Sequence, residues 1–180
     1  MHKTQAQTSL LDVPAKHPTP KSVFNPKEFK IQTLRECPTP VEMQLCDTPE
    51  KAAAYWRSAV ANHPYYNPDV ECMVVILVNT RRRIMGHHLV ATGTLDTLLT
   101  SPREVFRVAV VAAAAALVLM HNHPSGDATP SEADIKVTRD LIRAGQLIKI
   151  EVLDHVIVGR ASPNQLKDYV SLREAGYCAV

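Results

Sequence analysis

His121 and His123 stand two residues apart in the stretch VLMHNHPSGDATPSEAD, and Asp134 closes that stretch eleven residues later. Two imidazoles and a carboxylate form a donor set for a metal ion, and three protein ligands leave the fourth tetrahedral position of zinc open to water. If VLMHNH ends a strand, the period of two turns both histidines to one face. Pro124 holds the residue before it extended, and Gly126 is free to take the dihedrals of a tight turn. Ser131 then starts a helix with Asp134 in its first turn. The helix N-terminus favours the ionised carboxylate by about 0.3–1 kcal/mol, and the ionised form is the one that binds metal. The same letters read equally as an S-x-x-D capping pair behind two solvated histidines. Spacing alone leaves both readings open. The contiguous string HNH is not the nuclease motif of that name, whose letters are spread over a long stretch.

The elements that must position these residues are legible around them. Thr48 can cap a helix that opens with Pro49 and continues through Ala52, Ala53, Tyr55, Trp56 and Val60. VECMVVILVN is a β-forming run, NTRRR a turn, and IMGHHLVATG a second strand pairing back on the first. SPREVFRVAVVAAAA carries Ser101 as N-cap, Pro102 in the first turn and Glu104 three residues after the cap. ALVLM shifts to strand character, and the boundary falls somewhere among the alanines. SEADIKVTRDLIRAG predicts a helix ending at Gly145, followed by strand through LIKIEVLDHVIVG and at most one more strand in YVSLREAG. Helices and strands intermix, which predicts an α/β (mixed α+β) class around one central sheet. His87 and His88 fall on opposite faces of their strand, so they cannot share one metal. Arg81, Arg82 and Arg83 read as a solvated turn, with a nucleic-acid contact as the alternative.

Composition narrows the classes. With 180 residues there is room for one domain and some extra chain. A net charge of +2 is too small, and its Lys and Arg too dispersed, to argue for nucleic-acid binding. Cys37, Cys46, Cys72 and Cys178 show no paired spacing and read as free thiols of a reducing compartment. The N-terminus lacks an apolar signal-peptide core, and VAVVAAAAALVLM is too short to span a bilayer. The expectation is a soluble cytoplasmic protein with no membrane partner. Six prolines before residue 41 predict a flexible arm over 1–40.

The pattern H-x-H-P-S-G-x-x-x-P-S-x-x-D resembles the JAMM (MPN-plus) metalloprotease motif. As HNHPSGDATPSEAD it is similar to the RadC branch, bacterial JAB-domain proteins historically labelled DNA repair proteins. GTLDTLLTSPREVFRVAV and TRDLIRAGQLIKIEVLDHVIVG resemble the same family, over about residues 65 to 175. The resemblance implies a segment at 41–66 carrying a helix and a JAB/MPN domain at 67–180, a mixed sheet flanked by helices. It implies one Zn2+ held by His121, His123 and Asp134, although Fe(II), Co(II) or Mn(II) also suit such ligands. Glu71, fifty residues before His121, matches the family's upstream glutamate and would be the general base. Ser131 would donate to the oxyanion, and Asp154 and His155 are candidates for orienting a ligand. The activity implied is hydrolysis of a peptide or isopeptide bond in a peptide or protein substrate. The alternative is a DNA-repair or mobile-element accessory that binds DNA or protein without proteolysis. A homodimer is compatible with the apolar strands.

Overall fold

A computed structural model of the protein describes residues 45–64, 66–93, 101–163 and 166–179. The arm expected over 1–40 lies outside the described residues, as do the first residues of the segment expected over 41–66. Helix α1 (Pro49–Tyr55) begins as its sequence dictates: Thr48 is extended, and its hydroxyl accepts from the Lys51 amide at 3.4 Å. It runs on into a π-helical turn (Trp56–Val60) that buries Trp56 beside Tyr55. Strands β1 (Cys72–Val78) and β2 (Ile84–Thr92) form the expected antiparallel hairpin. Helix α2 (Pro102–Val111) leads into β3 (Ala116–Asn122), and Ala113 turns the chain between them with a left-handed φ of 51°. Helix α3 (Glu132–Ile148), β4 (Glu151–Val158) and the short β5 (Tyr169–Ser171) complete the order.

The five strands form one sheet in the order β2-β1-β3-β4-β5. Only β3 and β4 run parallel, joined across α3; the other pairs are antiparallel. The class is therefore the mixed α/β one. Every residue of β1 and β3 is buried, which is why both read as unbroken apolar runs rather than alternating ones. Val74, Ile76, Val118 and Met120 pack on one face against Tyr55 and Trp56. Val75, Leu77, Leu117 and Leu119 pack on the other against Phe106 and Leu141. Each such burial stabilises the sheet by about 1.5–3 kcal/mol.

One boundary differs from expectation. Helix α3 does not stop at Gly145 but continues to Ile148, where Lys149 takes the left-handed cap at φ 61°. Gly145 serves packing instead: a Cβ there would run into the Ile150 carbonyl oxygen and lie 3.2 Å from the Phe106 ring. β4 accordingly starts only at Glu151. Cys46, Cys72 and Cys178 are free thiols, and Cys37 lies outside the described residues. Among the described residues no helix is long and apolar enough to cross a membrane.

Candidate metal centre

His121 is the sixth residue of β3, and its cross-strand partner on β1 is Met73. Carried two residues further, that register sets Glu71 opposite His123. The alternation of β3 sends His121 and His123 toward the face covered by α3, whose first turn carries Asp134. The helix begins there because Ser131 and Asp134 form a full capping box. The Ser131 hydroxyl accepts from the Asp134 amide, while the Asp134 carboxylate accepts from the Ser131 amide at 2.8 Å. Capping and convergence on the histidines are thus the same arrangement rather than rivals.

The donor atoms lie close together. The Nε2 atoms of His121 and His123 are 3.0 Å apart. Asp134 places Oδ1 3.3 Å from the His121 Nε2 and Oδ2 3.6 Å from the His123 Nε2. Both Ser131 hydrogen bonds fall on Oδ2, the hydroxyl at 2.6 Å, which leaves Oδ1 turned to His121. Among the described residues, these three side chains are the group of His, Cys, Asp and Glu that could hold a metal ion. A tetrahedral ion with bonds of about 2.0–2.1 Å sets its ligands about 3.3 Å apart, and the observed spacings bracket that value. His123 is also oriented for such a role: its Nδ1 donates to the Asp127 carbonyl at 2.7 Å, so the neutral ring presents a bare Nε2. The donor set fits a divalent cation with borderline-soft preferences.

Electrostatics agree with the geometry. His123 has its pKa raised by the hydrogen bond to Asp134, against burial, with help from the Asp127 carbonyl and the charges of Asp134 and Glu71. Burial pushes the Asp134 carboxyl up, but the adjoining imidazoles of His121 and His123 and the Ser131 hydroxyl outweigh it and hold the group well below the carboxylate range. That direction favours the ionised form, the one that binds metal. His121 is fully buried, and the His123 side chain keeps 15% exposure, so the centre opens to solvent on the His123 side.

Glu71 sits immediately before β1, half-buried, with its carbonyl accepting from Gly93 at 2.9 Å. Asn122, between the two histidines, faces the opposite way and grips the chain on both sides of Glu71. Its Oδ1 accepts from the Cys72 amide at 2.9 Å and its Nδ2 donates to the Val70 carbonyl at 3.0 Å. His155 is wholly buried behind His121, Nε2 to Nδ1 at 2.8 Å. Thr138 lies behind His155, its hydroxyl 2.6 Å from the His155 Nδ1. Asp154 instead accepts from the Ser171 hydroxyl and from the Arg173 and His155 main-chain amides. His87 and His88 do part company: His87 meets the Tyr55 hydroxyl at 2.9 Å. His88 lies within reach of the charges of Arg107 and Glu104, its pKa lowered by burial and then by Arg107. Arg82 in the hairpin turn pairs with Glu151 at 3.0 Å.

Asn122 and Thr138 escaped the reading of the sequence. Asn122 had a signal in strand alternation, since a residue between two same-face ligands must serve the other face. Thr138 follows Asp134 by one helical turn, and only the fold brings His155 to it.

Residues 46–177 match the family model described as the RadC-like JAB domain. A UPF0758 protein of Thermosynechococcus vestitus, tlr1707, is 40% identical over 135 residues, covering 75% of this chain and 50% of that protein. UPF0758 proteins of Symbiobacterium thermophilum (STH371) and Bacillus cereus (BCG9842_B0662) are 46% and 44% identical over 107 residues. Each match takes in 59% of this chain and, respectively, 43% and 45% of the relative. The chain spans about half the length of the curated relatives it matches.

Proposed function

Because the chain belongs to the RadC-like JAB domain family, within a superfamily that includes metallopeptidases, we propose that it is a zinc-dependent hydrolase of peptide or isopeptide bonds. His121, His123 and Asp134 would hold one Zn2+. The observation that carries the reading is their convergence at the end of β3, and the charge of Glu71, felt at His123, supports a role for it there.

Zinc held there would supply Lewis acidity, lowering the pKa of a water from about 16 to about 7. Glu71 takes the proton of the attacking water and returns it to the departing amine. It serves as base only while it stays off the metal, which its place just before β1, outside the segment that carries the three ligands, favours. Ser131 gives its hydroxyl proton to Asp134 at rest; turned toward the scissile carbonyl, the same hydroxyl donates to the developing oxyanion. His123 keeps its ring fixed through Asp127, and the buried His121 side excludes water from behind the centre.

Elemental analysis of protein purified without a polyhistidine tag, with His123→Ala beside it, tests the site. The expected result is about one zinc per wild-type chain and none in the variant. A mass-spectrometric screen of a peptide library then compares wild type with Glu71→Gln. Full metal content with turnover lowered about 10²–10⁴-fold is the expected outcome for the variant. A wild-type protein that takes up no metal after zinc reconstitution would refute the proposal.

A further inference from the structure

We propose that His155 and Thr138 are positioning residues that fix the tautomer of His121, so that its Nε2 carries the lone pair facing His123 and Asp134. The inference rests on the metal reading only for its use; the tautomer itself follows from the directions of three hydrogen bonds.

The chain starts on the main chain of Asp134. The Thr138 hydroxyl lies 2.5 Å from the Asp134 carbonyl oxygen, which can only accept, so the single hydroxyl proton points there. Having given its proton, the Thr138 oxygen can only accept from the His155 Nδ1, 2.6 Å away. His155 therefore carries its proton on Nδ1. The ring is wholly buried, where an imidazolium charge would be left without solvent, so it is neutral. A neutral ring protonated on Nδ1 has a bare Nε2. That atom lies 2.8 Å from the His121 Nδ1, which must supply the proton. His121 is 0% exposed, so no water can substitute in the chain. Its remaining nitrogen, Nε2, is left as an acceptor aimed at the centre.

Asp134 thus acts at both ends. Its carboxylate faces the cation position, and its carbonyl, through Thr138 and His155, sets which nitrogen of His121 meets it. A ligand held in the right tautomer binds without first moving a proton, and loss of such a partner typically costs about 10–100-fold in metal affinity.

The test reads the protons directly. Metal-free protein with 15N-labelled histidine, in mildly alkaline buffer, is examined by long-range proton–nitrogen correlation, which separates protonated from bare ring nitrogens. Wild type and Thr138→Ser, which keeps the hydroxyl, are expected to show His121 and His155 both protonated on Nδ1. Thr138→Val, close in shape but without the hydroxyl, is expected to lose that pattern. Zinc titration against a competing chelator should then show Thr138→Val weakened about 10–100-fold and Thr138→Ser within about threefold of wild type. A wild-type His121 protonated on Nε2 overturns the inference, even if Thr138→Val fails to fold. So does a folded Thr138→Val that keeps the Nδ1 pattern and wild-type affinity. If wild type shows the Nδ1 pattern but takes up no zinc, the relay stands and the metal reading falls.

Discussion

Asn122 shows how much a single residue between two candidate ligands can do while facing away from them. Its amide replaces the main-chain ladder at the start of β1, holding both Val70 and Cys72 and hence the residue between them. Asn122→Ala leaves the Cys72 amide and the Val70 carbonyl without that partner, at a cost of about 1–3 kcal/mol for each buried group left unsatisfied. Chemical denaturation should register the loss, while zinc content stays at the wild-type level because no ligand has moved. Turnover should fall toward that of Glu71→Gln. Ser131→Ala separates two roles in the same way: loss of the cap lowers stability by about 0.5–2 kcal/mol, and any further fall in kcat at saturating zinc reports the hydroxyl's part in the reaction. At this scale His121, His123 and Asp134, which the fold brings together, were legible by their spacing and Glu71 by its match to a motif, because both signals are one-dimensional. Thr138 was not, since its role depends on His155 reaching it from another element.

Among the elements, the residue that follows β4 comes close to the loop between His123 and Asp134. A Cβ on Gly159 would collide with the Gly126 carbonyl and lie 2.9 Å from the Ala128 amide, both main-chain atoms with little room to give. Gly159→Ala should therefore push the loop outward. The expected result is a loss of about 1–3 kcal/mol in stability together with weaker zinc binding, read by denaturation and chelator competition. Helix α1 is tied to the sheet's far edge by Glu50, whose carboxylate accepts from the Tyr169 hydroxyl at 2.5 Å and from Lys167 at 3.0 Å. Those hydrogen bonds, Tyr169 first, lower its pKa to about 2. A depressed carboxylate pKa contributes stability that is complete above the unfolded value of about 4.3 and lost as the pH falls toward 2. The group is largely solvated, so the effect is about 0.2–1 kcal/mol. Melting curves of wild type and Glu50→Gln should differ at neutral pH and converge only as the pH falls to about 2. The elements themselves were legible wherever a cap or an apolar run marked them. The end of α3 was not, because a glycine that packs against Phe106 and a glycine that terminates a helix look alike until the packing is known.

Across the whole molecule, the two cores on either face of the sheet are built without the candidate metal centre, which involves only the end of β3 and the start of α3. Chelation should therefore leave a folded protein. Zinc at 100 times its dissociation constant adds about 2.7 kcal/mol. For a chain of this size that raises Tm by roughly 5–10 °C, measurable by calorimetry with and without chelator. The layered mixed sheet was legible from the alternation of helices and strands. Its strand order was not, since β3 reaches β1 past β2, and no local pattern records which non-neighbouring strand a chain will choose.

The three ligands span fourteen consecutive residues, from the end of β3 to the first turn of α3, whereas Glu71 lies fifty residues upstream. Closing the short segment costs little chain entropy; joining Glu71 to it requires the β1–β3 pairing to be complete. On the proposed reading, ion capture and hydrolytic competence are separate events in the maturation of the chain. A newly made molecule would hold its cation while still unable to cut, and would gain that ability only when the centre of its sheet had closed.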